Sequence, residues 1–379
     1  MSKKTLLTII VLALFSFAMT ACAGGGDSAE LQSEIDSLQA ELADAQAALA
    51  DAEAAGEAAP VASANTLADV QARGVLNCGV SGSLLAFSFP DENGVMQGFD
   101  ADYCRAVAAA ALGDAEAVEF RSSNASERFP ILQNGEIDVL IRNTTWTISR
   151  DTSLGFDFVP TTFYDGQGMI VRKDSGISSL EDMAGGTVCV NAGTTTEKNL
   201  ADVFRSRGID YEAVVFAETS DVRQAYDDGR CDGWTTDKSG LIANSALLSD
   251  PDNHQILDET MSKEPLGPLT RHGDDNWFDV VKWAVNCTIE AEELGVDSAN
   301  VDDALGSDDP RVLNMLGVEG DLGQALGLNN DFCYQVIKQV GNYAEIYNSA
   351  LGPDTAYNVP RGLNSLWTEG GLLYSPPFR

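Results

Sequence analysis

The stretch Leu132-Gln133-Asn134-Gly135-Glu136-Ile137-Asp138-Val139-Leu140 has a counterpart at Tyr226-Asp227-Asp228-Gly229-Arg230-Cys231-Asp232-Gly233-Trp234. Each reads as the end of a helix, a glycine that closes it in the left-handed conformation, and a strand opening on aspartate. Each strand runs out into polar residues, Arg142-Asn143-Thr144-Thr145 in the first copy and Thr235-Thr236-Asp237 in the second. In open α/β sheets, ligands bind beyond the carboxyl ends of strands. Two such units predict two lobes that present polar strand ends to a shared cleft.

The segments around the first copy follow the same alternation. Thr66 to Arg73 reads as a short helix and Val75 to Val80 as a strand. Phe99 to Leu112 is helical, Ala117 to Arg121 a strand, Ala125 to Asn134 a helix, and Ile137 to Ile141 a buried strand. Apolar strands alternating with helices predict parallel sheets and an α/β fold. The chain of 379 residues is long enough for two domains of ordinary size.

Ahead of this region the composition changes. Lys3 and Lys4 precede an apolar run, Leu6 to Met19, that is short for a membrane span. Met19-Thr20-Ala21-Cys22 then resembles a lipobox, in which cleavage before Cys22 leaves a thiol that carries diacylglycerol. An ordinary cleaved signal peptide is the alternative, and both imply export. Leu31, Ile35, Leu38, Leu42, Ala45 and Leu49 repeat at spacings of four and three in an Ala/Glu-rich background, the heptad signal. This predicts a helical stalk that either oligomerises or serves as a spacer above the membrane. The net charge of −35 excludes nucleic acid as a partner, since the summed field repels phosphate. Without a CxxC pair, and with only His254 and His272, the spacing for a zinc site is lacking, and no metal or cofactor is expected.

The polar strand ends carry a family resemblance. Arg142-Asn143-Thr144-Thr145-Trp146-Thr147-Ile148-Ser149-Arg150-Asp151-Thr152 resembles the general L-amino acid-binding periplasmic proteins, the solute-binding components of polar amino acid ABC importers (solute-binding protein family 3). So do Tyr164-Asp165-Gly166-Gln167-Gly168, Gly193-Thr194-Thr195-Thr196-Glu197, Lys263-Glu264-Pro265-Leu266-Gly267-Pro268 and Gln339-Val340-Gly341-Asn342-Tyr343. The resemblance implies an α/β, two-lobed periplasmic binding protein-like fold of type II with two hinge strands. It also implies a helical C-terminal extension, whose Trp367-Thr368-Glu369-Gly370-Gly371 end closes on the first lobe. With the lipobox and stalk, the expected layout is a signal peptide at 1–21 and a lipid-anchored tether with a coiled-coil-like helix at 22–64. Lobe 1 would begin over 65–162, lobe 2 would span 163–261, and 262–379 would return to lobe 1 and form the extension. Six cysteines remain after Cys22, an even number in an exported chain, which suggests disulfides while allowing about 15 pairings. On this layout Cys78–Cys104, Cys189–Cys231 and Cys287–Cys333 each fall within one lobe or extension, and they form the expected set.

A receptor for free amino acids must hold a carboxylate and an ammonium on one carbon. Arginine offers a planar fork to the carboxylate, and the family pattern assigns that role to Arg150; a surface pairing with Asp151 is the alternative. A second grip comes from Gly193, Thr194 and Thr195 at the start of a helix read over Glu197 to Ser206, following a strand at Val188 to Val190. Amide groups and the helix dipole favour an anion there. Thr194 with Glu197 also fits a simple capping box. The ammonium falls to Asp237, with Asn143 and Thr145 at the matching strand end; a loop-start cap is the other reading of Asp237. Ser81, Ser83, Leu84, Phe87, Ala125 and Trp146 are expected around the ligand side chain, with lobe core as the alternative for Trp146. The segment Ser81 to Leu85 holds no acid to select lysine or arginine, which favours broad specificity. The expected partners are thus a free L-amino acid, permease subunits and a membrane reached through Cys22. An enzyme of the same fold, a dehydratase or lyase, would need a tuned acid–base residue in the cleft, and neither histidine lies in a motif. A sensory ligand-binding domain is a third reading, but no kinase or transmembrane output segment follows.

Overall fold

The computed structural model describes residues 65–379, so Cys22 and the heptad segment lie outside the described residues. The chain begins in one sheet, crosses to a second and returns. Its strands are β1 (Leu76–Val80), β2 (Phe89–Pro90), β3 (Met96–Gln97), β4 (Val118–Ser122), β5 (Val139–Leu140), β6 (Phe156–Phe158) and β7 (Phe163–Arg172). They continue with β8 (Thr187–Asn191), β9 (Glu212–Phe216), β10 (Gly233–Asp237), β11 (His254–Ile256), β12 (Lys263–Leu266) and β13 (Leu269–Arg271). The first sheet has the order β4-β1-β5-β13-β6 and the second β11-β7-β10-β8-β9.

The two echo units fold alike in detail. Asp138 accepts the amide of Asn77 at 2.7 Å, next to the start of β1. Asp232 accepts the amide of Thr187, the first residue of β8, also at 2.7 Å. In each lobe an aspartate at the mouth of a strand thereby fixes the register of the neighbouring parallel strand, and the polar cluster emerges at the opposite end. The Phe99–Leu112 helix runs as the sequence predicts, closed by Gly113 in the left-handed conformation at φ 77°.

The expected parallel sheets are found in the core of each lobe, and the sheets as a whole are mixed. β1 pairs parallel with β4 and β5, and β8 parallel with β9 and β10. However, β13 lies antiparallel to β5 and β6, and β7 antiparallel to β10 and β11. The physical reason is the double crossing. Parallel neighbours need a crossover connection, usually a helix, whereas β12 leads into β13 with no helix between them, so the returning strand joins its sheet antiparallel.

The crossing itself is a two-stranded antiparallel ribbon. β12 pairs with the first four residues of β7, setting Phe163 opposite Leu266, Tyr164 opposite Pro265, Asp165 opposite Glu264 and Gly166 opposite Lys263. β12 also steadies the polar cluster of the first lobe, since the Trp146 amide donates to Pro265 O at 2.8 Å. Around the root of β7, Phe99 makes edge contacts with Phe87, Tyr103, Phe163, Tyr343 and Tyr347 at 5.1–6.3 Å. Each such pair adds about 0.5–1.5 kcal/mol beyond buried area, so this cluster anchors the hinge in the first lobe's core.

The carboxyl-terminal segment reaches the same hinge. Asn364 accepts the Tyr164 amide at 2.7 Å and donates to the Tyr164 carbonyl at 3.2 Å, completing the free edge of β7. Arg361 pairs with the half-buried Glu292 at 3.0 Å and lies over the rings of Tyr343 and Tyr347. Leu366, Leu373 and Phe378 join the core of the first lobe.

Disulfide bonds join Cys78 to Cys104, Cys189 to Cys231 and Cys287 to Cys333, with Cα separations of 6.0, 5.7 and 5.7 Å. Each ties a strand or helix to its packed neighbour within one lobe or extension. Closing loops of 26, 42 and 46 residues lowers the entropy of the unfolded chain, about 3–4 kcal/mol each in the loop-closure account. Peptide mapping of the oxidised protein should recover these three pairs alone. A bridge between two of the sets, or a free thiol among the six, would contradict the pairing.

Candidate ligand site

The strand ends of both lobes meet at one pocket. Its wall comprises Ser81, Leu84, Ala125, Arg128, Arg142, Asn143 and Thr145 from the first lobe. Asn191, Thr194, Thr195, Thr196, Thr219, Thr236 and Asp237 come from the second. The lobes touch across it: Asn143 Nδ2 donates to Asp237 Oδ2 at 3.2 Å, and the Thr145 and Thr195 hydroxyls stand 3.2 Å apart. Asn143 holds a positive φ of 27°, a conformation asparagine tolerates better than most residues, and its amide is fixed by the buried Asp100 at 2.8 Å. Burial pushes the Asp100 carboxyl up to about 7.

Three buried arginines lie in or beside this pocket with no carboxylate in salt-bridge contact among the described residues. Arg150 places Nη1 on the Thr145 carbonyl at 2.7 Å, while Nε and Nη2 have no hydrogen-bond partner among the described residues. Arg128 makes one long bond, Nη1 to the Thr144 hydroxyl at 3.4 Å, and its buried Nε has no partner. Both guanidiniums lie about one ring-contact distance from Phe129, at 4.8 and 5.2 Å from its centroid. Arg142 is spent on structure, with Nε on Ser123 O at 2.9 Å and Nη1 on Asn143 at 3.3 Å. Desolvation lowers all three, Arg142 and Arg150 to about 10. Cations buried without a partner are costly, and a site that retains them is built to receive an anion.

Opposite them stand three carboxylates. Asp237 is 5% exposed, and burial, then Asp165 and Glu264, hold its carboxyl well above the usual range. Asp165 is pushed up to about 6 by burial and accepts both the amide and hydroxyl of Ser239. Glu264, directly across the hinge ribbon from Asp165, is 1% exposed.

The helix Thr195–Arg207 points its amino end at the same space. Thr194 caps it, accepting the Glu197 amide at 3.0 Å, and Glu197 reaches back to the Gly193 amide at 2.9 Å. The cap consumes the Gly193 amide and the Thr194 hydroxyl, which also donates to Asn191 O. The amides of Thr195 and Thr196 in the first turn make no bond among the described residues, and they carry the positive end of the helix dipole.

Several expected lining residues stand elsewhere; Arg150 and Gly193 lie beside the pocket and not in its wall, where the arginines are Arg128 and Arg142. Phe87 is 1% exposed in the aromatic cluster with Phe99 and Phe163, so it is lobe core and not pocket wall. Trp146 is 44% exposed, stacked on Phe158 at 6.0 Å with its indole N–H on Asp151 at 2.8 Å, which turns the ring out to solvent. Ser83 contacts the Ser81 hydroxyl at 3.3 Å and is not part of the pocket wall. Asp237 sits where a helix cap would, but its side chain caps no amide of Lys238–Ser245. Sequence reasoning passed over Arg128, Asn191, Thr219 and the role of Glu264, and it placed Arg142 and Thr236 at the cleft only as members of the polar strand ends. Arg128 opens the helix that follows the carboxyl end of β4, so the strand-end rule applied to β4 was the signal that could have found it.

Residues 76–352 match the model of the bacterial extracellular solute-binding proteins, family 3. The chain belongs to that family. This solute-binding protein is 51% identical to the general L-amino acid-binding periplasmic protein of Rhizobium johnstonii over 85% of its own length and 95% of the relative's. It is 48% identical to the glutamate/glutamine/aspartate/asparagine-binding protein of Rhodobacter capsulatus, over 85% and 95%. A solved ABC transporter periplasmic binding protein from Brucella ovis, with glutathione bound, superposes with a TM-score of 0.82 at 49% identity, covering 83% of this chain and all of that one. The two-lobed, type II arrangement is the fold of these relatives, which are solute-binding proteins and not enzymes.

Proposed function

We propose that this solute-binding protein captures free L-amino acids of several kinds outside the cytoplasmic membrane and hands them to an ABC-type permease. The carrying observation is the division of charge across one pocket. Arg128 in the pocket wall and Arg150 beside it offer guanidinium donors that have no partner among the described residues, and Asp237 a buried carboxylate on the other side. A zwitterion answers both, and neither a simple anion nor a simple cation does. Arg150 and the Thr195 and Thr196 amides take the α-carboxylate, and Asp237 takes the ammonium. Ser81, Leu84 and Ala125 leave room for varied side chains. Arg128 supplies a further donor where a ligand side chain ends in an acid or amide. The relatives' names, a general receptor and one for acids and their amides, support this reading.

Calorimetry against the twenty amino acids and glutathione tests it. Several amino acids should bind, and small-angle scattering at saturation should show a smaller radius of gyration as the lobes close on the hinge ribbon. Binding of glutathione alone, or of no amino acid, would overturn the proposal.

The anchor is a further part of the proposal. The lipobox supports thioether attachment at Cys22, with the heptad helix as a stalk that holds the lobes off the membrane or joins copies. Cys22→Ser should move the protein from the membrane fraction to the soluble exported fraction.

A further inference from the structure

We infer that Glu264, a buried carboxylate on the hinge ribbon, sets the polarity of the pocket by accepting hydrogen bonds from the Thr145 and Thr195 hydroxyls, so that both oxygens face the ligand as acceptors. The inference rests on the reading of the ligand as an amino acid.

Glu264 Oε2 accepts from the Thr145 hydroxyl at 2.5 Å and from the Thr195 hydroxyl at 3.0 Å. Its Oε1 accepts from Asn199 Nδ2 at 2.8 Å and from the Ser262 hydroxyl. Thr145 belongs to the first lobe, Thr195 and Asn199 to the second, and Glu264 to the strand between them. No lysine or arginine pairs with it among the described residues. Its direct hydrogen-bond donors are all neutral and come from both sides of the cleft, and the Arg150 guanidinium faces it at longer range.

The proton count then fixes the direction of each bond. An ionised carboxylate only accepts. The two threonine hydroxyls have one proton each, yet three contacts join Thr145, Thr195 and Glu264, the third being the 3.2 Å separation of the hydroxyls themselves. Two protons satisfy two contacts. Bonds to a charged acceptor are the stronger ones, and here they are also the shorter, so the protons go to Glu264. Both threonine oxygens are left with lone pairs directed away from Glu264, in the wall of the pocket that also holds Asp237. An α-ammonium brings three protons. Asp237, Thr145 and Thr195 supply three acceptors. The Thr195 hydroxyl is thus assigned to the ammonium, and the carboxylate keeps Arg150 and the first-turn amides. Glu264 touches no ligand in this arrangement; it is a positioning residue.

Glu264→Gln tests this. With its NH2 towards the threonines it donates and turns their protons into the pocket, and with its oxygen there it is a neutral, weaker acceptor. In either orientation the two protons are held away from the ligand less firmly. Calorimetry would compare a tight-binding amino acid with its 2-deamino acid, in the wild type and in the variant. The amino acid should lose about tenfold or more in affinity while the deaminated acid holds or gains, so their ratio falls. A parallel loss of both, with the ratio unchanged, would show that Glu264 only braces the hinge and would overturn the inference. Thr195→Val is the second variant, chosen to leave the hinge carboxylate in place. It should weaken the amino acid and spare the deaminated acid, with Thr195→Ser restoring wild-type behaviour. If Thr195→Val instead weakens the deaminated acid as much, the hydroxyl donates to the carboxylate and the inference fails. Wild-type protein that binds no amino acid would sink the functional reading itself, a result distinct from either.

Discussion

Arg150→Ala should nearly abolish amino acid binding. The guanidinium is buried, spends one nitrogen on the Thr145 carbonyl and has no carboxylate partner among the described residues. Its remaining donors are therefore available to a ligand carboxylate, and a forked pair in a dry cleft is the strong kind of charge-assisted bond. Truncating one side of such a pair leaves the other charge desolvated and unmatched, at a cost of about 2–5 kcal/mol, or tens to thousands in affinity. Arg150→Lys should fall nearly as far, since an ammonium cannot form the fork and would leave the Thr145 carbonyl competing for the same protons. Calorimetry reads both. Near-native affinity in the alanine variant would move the carboxylate to Arg128, the other guanidinium with free donors.

Asp237→Asn should weaken amino acids and narrow their advantage over deaminated analogues. Among the described residues Asp237 has a single weak side-chain partner, Asn143 at 3.2 Å, and it lies near two other carboxylates, Asp165 and Glu264. An ammonium relieves both deficits. A ligand without one leaves a buried charge unsatisfied, which costs about 1–3 kcal/mol or more. The same placement gives a pH dependence of definite sign. Burial and the neighbouring acids raise the carboxyl of the free protein, so it takes up a proton above the ordinary carboxylate range. Binding an ammonium requires the ionised form and expels that proton. Affinity should rise with pH from the usual carboxylate range up to the raised value and then level off. Calorimetry in buffers of different ionisation heat should register proton release, and Asp237→Asn should flatten the slope. If affinity and discrimination survive the substitution, the ammonium is held by Asn143, Thr145 and backbone carbonyls instead.

The residues of the site differ in how far the sequence alone exposed them. Asn143, Thr145 and Asp237 were legible because a strand's polar end is a local pattern, and the helix–glycine–aspartate echo marked where both strands begin. The pairing of cysteines followed once the lobes were assigned. Phe87 and Trp146 were misplaced because both follow segments that do line the pocket; only tertiary packing turns one ring into the core and the other toward solvent. The antiparallel strands β7 and β13 were hidden for a related reason. Strand direction is a property of the route between sheets, not of the strand's own residues. Glu264 gives no local sign of its role, since its four donors come from residues 145, 195, 199 and 262 and nothing in the Lys263-Glu264-Pro265-Leu266-Gly267-Pro268 run announces that they converge.

The bonds between Asn364 and Tyr164 have a practical consequence for sensor construction. They tie the carboxyl-terminal segment to the strand about which the lobes pivot, and Phe378 beyond it is packed against Trp283 at 5.0 Å. A fluorescent reporter fused behind Arg379 would load that strap and report its own drag on the pivot along with the ligand. The exposed loop Val318–Asp321 is a better seat. A reporter grafted there would ride on the first lobe without touching the ribbon, and its partner dye on the second lobe would then read the domain motion unperturbed.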